Sequence, residues 1–130
     1  MVEFDDLKKS VTTFVFAHHA AASKGKLNKV VNNYAERVDH FRNGIVSREF
    51  IYKDETDYHR KYKFVWETVR GRVAIRNIRE GLVEVSYVMG NEWQRLSDNL
   101  SGSNLFRVTL NLENQPEGWK IVKHRADKQN

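Results

Sequence analysis

Five histidines, 17 carboxylates and 22 lysines and arginines, with no cysteine, restrict any chemistry in this 130-residue chain to imidazoles, carboxylates and tyrosine hydroxyls. Without a thiol there is no disulfide framework, zinc knuckle or cysteine nucleophile. His18 is the first candidate. It stands between Phe14 and Ala22 at helical spacing, where a purely structural helix prefers Leu or Ala. An imidazole titrates near neutrality, so a pocket-facing His18 suits a general base or hydrogen-bond donor; the plainer reading is a satisfied core histidine. His19 falls at the stripe's edge and is expected to be half-exposed. Asp54 is the second candidate, one turn after Phe50 and one before Tyr58. Burial would raise its pKa towards a base's working range, whereas Arg37, Arg42 or Arg48 would hold it in an ion pair, the commoner fate of a buried charge. In either reaction Tyr58 or Tyr87 would orient a carbonyl or hydroxyl. Asp39 and His40 are neighbours in a strand, so they face opposite ways and form no dyad. No His pair at an i, i+4 step brackets a carboxylate, and His18-His19 is wrongly spaced for one metal face, so neither a metal nor a cofactor is expected.

The expected ligand pocket comprises Phe14, His18, Val38, His40, Tyr58, Tyr62, Trp66, Tyr87, Met89, Trp93 and Phe106. Pockets are mostly apolar with a few placed polar groups, and this set supplies both. The alternative is that the same rings fill the interior and leave no pocket. The net charge of +5 raises the question of anionic partners. Arg70, Arg72 and Arg76 share a strand face if no bulge intervenes, with Arg60, Lys61 and Lys63 before them and Lys120, Lys123 and Arg125 near the end. Acids interrupt them at Glu67, Glu80 and Glu84, and no phosphate-binding glycine loop or nucleic-acid motif occurs. A solvated outer sheet face or polar dimer interface is expected instead, and nucleic acid is not.

Helices and strands must position these groups. Phe4, Leu7, Val11, Phe14, Val15, His18 and Ala22 form one stripe and predict a helix over 3–22, stopped by Gly25. A short helix over 26–33 buries Leu27, Val30 and Val31. The period then changes to two over 34–41, a strand ended by Asn43-Gly44. Val46 leads into a helix capped by Ser47 and running to about Lys61. The rest reads as β: 64–78 with a bend at Gly71, a turn at 79–81, then 82–93 with Val83, Val85, Tyr87 and Met89 on one face. A loop over 97–103 follows, then a strand marked by Phe106, Val108, Leu110 and Leu112, a turn at 115–118, and a last strand that frays after Arg125. Helices first and strands later predict one α+β domain over 1–130, three N-terminal helices on a curved, mostly antiparallel β-sheet forming a cone.

The run Tyr34-Ala35-Glu36-Arg37-Val38-Asp39-His40-Phe41, then Asn43-Gly44 and Val46-Ser47-Arg48, is similar to a bacterial subgroup of the nuclear-transport-factor-2-like (SnoaL-like, cystatin-like) superfamily. Asp54, Tyr58 and Trp66 match that subgroup's third helix and following strand. Gly102 to Leu112 and Gly118-Trp119-Lys120-Ile121-Val122 resemble the superfamily's last hairpin. His40 departs from the pattern, standing where the subgroup carries an aromatic. The resemblance implies the cone fold but no single reaction, since the superfamily holds isomerases, cyclases and dehydratases beside non-catalytic modules. The expected function is a non-catalytic small-ligand-binding or association module with an aromatic pocket. The alternative is a small cofactor-free isomerase, dehydratase or cyclase with a pocket His or Asp as base. Expected partners are a small apolar or amphipathic ligand and a second copy across the outer sheet face. No stretch reaches the roughly 18 apolar residues of a membrane span. The lack of cysteine and of a leader-like start fits a cytoplasmic protein, and a domain excised from a longer, exported protein fits as well.

Overall fold

A computed structural model describes the backbone of residues 2–129 and the side chains of residues 5–129, so Phe4 of the predicted stripe lies outside the described side chains. Helix α1 (Val2–Ser23) forms where the apolar recurrence requires it. Its stripe is buried at Val11, Val15, His18 and Ala22, with Leu7 and Phe14 packed beside them. Gly25 ends the helix at φ +69°, a conformation that costs glycine little. The Gly25 and Lys26 N–H groups turn back onto the Ala22 and Ala21 carbonyls at 3.0 and 2.9 Å, a left-handed cap. Helix α2 (Leu27–Asn32) then buries Val30 and Val31.

Strand β1 (Tyr34–His40) folds back through Asn43-Gly44 into β2 (Gly44–Ser47), which pairs Val46 with Val38. This short strand corrects the expectation that Val46 merely leads into a helix; four residues are too few for a periodic signal. The helix nonetheless starts as expected, since Ser47 Oγ accepts the Phe50 N–H at 3.1 Å and caps α3 (Arg48–Arg60).

Strand β3 (Tyr62–Arg79) pairs with β4 (Leu82–Arg95), and the pairing shifts between Arg70 and Ala74 around Gly71, at φ +69°. This bulge separates Arg70 and Arg72 from Arg76, which is bonded to Glu84 at 3.1 Å. Strand β5 (Ser101–Gln115) begins inside the expected loop, and β6 (Gly118–Gln129) continues through the segment expected to fray. Ladder pairs from Arg107↔Asp127 to Leu105↔Gln129 hold that polar end, so backbone hydrogen bonds order it where its side chains gave no signal.

The six strands form one sheet in the order β2-β1-β6-β5-β4-β3, antiparallel except for β1 with β6. The fold is therefore α+β, three helices against one face of a mostly antiparallel sheet. Val83, Val85, Leu110, Leu112 and Ile121 are almost wholly buried and meet Val11 and Val15 of α1 from the other layer and Tyr34 of β1 within the sheet. Each such aliphatic side chain contributes about 1.5–3 kcal/mol relative to exposure, several times an exposed ion pair, so this layer and not the surface charge holds the fold together. Among the described residues no helix is long and apolar enough to cross a membrane.

Candidate functional site

Inward positions change character along the sheet. On β4, Val83 and Val85 give way to Tyr87, Met89 and Asn91; on β5, Leu112 and Leu110 give way to Val108 and Phe106. Beyond the solid core this leaves a cavity of about 170 Å³, lined also by His18 and His19 of α1, Tyr34 and His40 of β1, Asp54, Glu55 and Tyr58 of α3, Glu67 of β3 and His124 of β6. A 150 Å³ apolar cavity takes benzene, so this one has room for a single small ring.

Of the eleven expected lining residues, the cavity gathers His18, His40, Tyr58, Tyr87, Met89 and Phe106. The other five stand elsewhere. Phe14 stacks on the far side of His18, ring centroids 6.2 Å apart. Val38 is sealed in the core. Tyr62 and Trp93 meet edge to face at 5.6 Å, and the Trp93 ring covers Gly102, filling that end of the sheet. Trp66 is 53% exposed on the outer face of β3, because Val65 and Glu67 take the inward positions on either side of it.

The two residues favoured as bases are engaged. Asp54 accepts from Arg42 Nη2 at 3.1 Å, with the guanidinium 57% exposed at the rim of the cavity. His18 Nδ1 accepts from the Asn33 side-chain amide at 2.9 Å, and the ring meets Tyr34 edge-on at 5.8 Å. Burial pushes the His18 pKa well below the ordinary imidazole value, reinforced by His19 and His124 nearby.

The arrangement with chemistry in it is one that composition and helical spacing missed. His19, expected to be half-exposed, is only 7% exposed, because α1 lies against β3 on that side. Its Nδ1–H donates to Glu67 Oε1 at 2.6 Å, and its Nε2 accepts from the Tyr87 hydroxyl at 2.5 Å. A carboxylate only accepts, so the ring proton belongs on Nδ1 and Nε2 is left as an acceptor. Burial, aided by the Glu67 charge, raises the Tyr87 pKa far above an ordinary phenol, so Tyr87 donates and does not ionise. Glu67 is itself held from α1. One helical turn beyond His19, Ser23 Oγ accepts the Glu67 N–H at 2.7 Å and donates to the Glu67 carbonyl at 3.1 Å. Strand β3 is a sheet edge, and Ser23 occupies backbone groups the edge would leave open. The available signal was the alternation Val65, Glu67, Val69, which puts a carboxylate in line with two inward valines.

His40 and His124 form the opposite wall, paired across the β1–β6 ladder with ring centroids 5.6 Å apart. His40 Nδ1 accepts the Arg42 backbone N–H at 3.3 Å and the Asn43 side-chain amide at 3.2 Å. His124 Nδ1 lies 3.3 Å from the Tyr34 hydroxyl. Burial lowers both imidazoles, His124 to about 3 with His40 adding to the effect, and His40 with help from Arg42. Burial also pushes Tyr58 up to about 12, against a hydrogen bond from Asn91 Nδ2 at 3.5 Å. Among the described residues no three His, Asp or Glu side chains converge as a metal site.

No protein-family model matches the sequence, and no curated protein matches it. Solved structures do match the fold over nearly all of both chains. A scytalone dehydratase-like protein from Novosphingobium aromaticivorans superposes with a TM-score of 0.86 at 10% identity, covering 100% of this chain and 89% of that one. A hexachlorocyclohexane dehydrochlorinase of LinA type 3 from Novosphingobium barchaimii reaches 0.85 at 8% identity, covering 99% and 90%. A nuclear-transport-factor-2-like superfamily protein from Salmonella enterica serovar Typhimurium gives 0.84 at 11%, covering 98% and 94%. The fold is the nuclear-transport-factor-2-like cone that the first strand and last hairpin of the sequence resemble. That fold houses enzymes and non-catalytic proteins alike, so the function has to be argued from the cavity.

Proposed function

We propose that the cavity binds one small molecule and that the protein is a cofactor-free acid–base enzyme, with His19 as base, Glu67 as its orienting carboxylate and Tyr87 as proton relay. The observation that carries this is the unbroken Glu67–His19–Tyr87 hydrogen-bond chain along the cavity wall, at 2.6 and 2.5 Å. A substrate proton passes to the Tyr87 oxygen as the Tyr87 proton passes to His19 Nε2, and the resulting imidazolium is neutralised by Glu67. Return of the proton to another atom is an isomerisation; departure of a leaving group from the neighbouring carbon is an elimination. Such a positioned base contributes roughly 10²–10⁴ in rate. Asp54 is held by Arg42 and the Nδ1 lone pair of His18 by Asn33, which at those two positions favours a binding role over that of a base. Exposed Trp66 and Leu105 beside Arg107 on the outer sheet face support self-association there, which light scattering checks.

The test is deuterium exchange of weakly acidic C–H groups in one-ring ketones, followed by proton NMR. Wild type is expected to catalyse it and His19→Gln to lose at least a hundredfold. Exchange unchanged in His19→Gln overturns the assignment.

A further inference from the structure

The proposed site leaves unstated what kind of molecule the cavity takes. The charges and the histidine tautomers bear on that directly. Two of the three acids on the lining are held, Asp54 by Arg42 at 3.1 Å and Glu67 by His19 at 2.6 Å, whereas Glu55 lies 3.6 Å from His59 Nε2, beyond a hydrogen bond. Arg42 is thereby committed as well. The wall thus offers an entering carboxylate only a guanidinium already held by Asp54, and an entering ammonium only Glu55. Bringing either ion out of water into such a site costs far more than bringing in a neutral ligand.

Two of the open polar groups are imidazole donors. His40 Nδ1 receives two N–H donors, one of them the Arg42 backbone, so its ring proton sits on Nε2. His18 Nδ1 receives the Asn33 amide, which fixes the same tautomer. Neither Nε2 has a protein partner among the described residues, and neither is among the occluded unpaired atoms, which are Thr56 Oγ1 and His59 Nε2. Both are therefore open to the cavity they line. They are neutral donors awaiting an acceptor, and a buried donor left without one costs about 1–3 kcal/mol. Phe106, Met89 and Tyr87 supply flat apolar surface between this wall and His19.

We propose that the cavity selects an uncharged ligand of one-ring size that turns an acceptor oxygen, as in a ketone, towards the Nε2–H of His40, with its ring against Phe106 and Met89. This rests on the cavity being a ligand site and adds the class of ligand.

The experiment titrates the ¹⁵N-labelled protein at pH 7 with four probes of similar size: acetophenone, benzoate, benzylammonium and ethylbenzene. Acetophenone is expected to bind at least tenfold more tightly than each of the others and to move the His40 Nε2–H resonance in a long-range imidazole spectrum. His40→Phe is expected to erase the ketone's advantage over ethylbenzene while ethylbenzene still binds. His40→Gln, which keeps a donor, is expected to retain part of it. Should His40→Phe fail to fold, the wild-type resonance and His40→Gln carry the test. Benzoate or benzylammonium binding as well as the ketone overturns the uncharged class, and ethylbenzene binding as well overturns the donor wall. Binding of none of the four overturns the proposal outright. Acetophenone that binds without exchanging its methyl protons leaves the ligand class standing and removes His19 as a base, so the two failures are distinguishable.

Discussion

Two pairs border the same cavity and share little beyond a carboxylate. At the rim, Asp54 meets Arg42 at 3.1 Å with side chains 33% and 57% exposed; at the back wall, Glu67 meets His19 at 2.6 Å with 16% and 9%. The rim pair is screened by water, and pairs of that kind are worth about 0–1 kcal/mol. The back-wall pair is nearly dry, shorter, and extended by Tyr87 into a chain that can move a proton. For the proposed base, residue type does not mark the pair. Burial does, because only out of water does a carboxylate hold an imidazole in one orientation and one tautomer.

Four experiments sharpen or break that comparison. The largest effect is on turnover of a proton-exchanging probe: Glu67→Gln is expected to lose roughly 10²–10⁴-fold, because a neutral amide no longer stabilises the imidazolium, while Asp54→Asn keeps the rate within about threefold. Equal losses at both sites would erase the distinction. Stability comes next, read by urea unfolding. His19→Leu leaves Glu67 without its partner and is expected to cost about 3–5 kcal/mol, whereas Asp54→Asn costs less than about 1 kcal/mol.

The third concerns acid. His18, His40 and His124 have folded-state pKa values below their unfolded values, so they bind protons more readily when unfolded. Their burial costs nothing above about pH 6.5, and stability falls as pH drops below it, for His124 down to its folded value of about 3. A buried His124→Leu should flatten the fall in Tm between pH 6.5 and 5; an unaltered slope would show that His124 takes up its proton without unfolding. The smallest effect is at Ser23. Removing its hydroxyl in Ser23→Ala frees both backbone groups of Glu67 and is expected to cost about 1 kcal/mol. It should also weaken the downfield His19 Nδ1–H resonance, which Ser23→Thr would restore.

Much of this was legible in the chain. The stripe from Leu7 to Ala22, the cap at Ser47, the bend at Gly71 and the alternation through Val83, Val85, Tyr87 and Met89 all follow from local rules of period and turn chemistry. Strand β2 and the far end of β6 escaped because cross-strand hydrogen bonds, not their own side chains, order them. The site was only half visible. Six of eleven expected lining residues converge, yet Trp66 was preferred to its neighbour Glu67 because an aromatic ring looks more like a pocket wall than a carboxylate does.

By itself the sequence determined the cone fold, a catalysis left to imidazoles and carboxylates, and His18 and Asp54 as the candidate bases. Only the tertiary structure decided which histidine. His18 and His19 differ by 100° around one helix, a difference without meaning until β3 arrives with Glu67 and β4 with Tyr87. Local patterns set which face of an element turns inward; what it meets there depends on contacts 48 and 68 residues away along the chain, which no local pattern records.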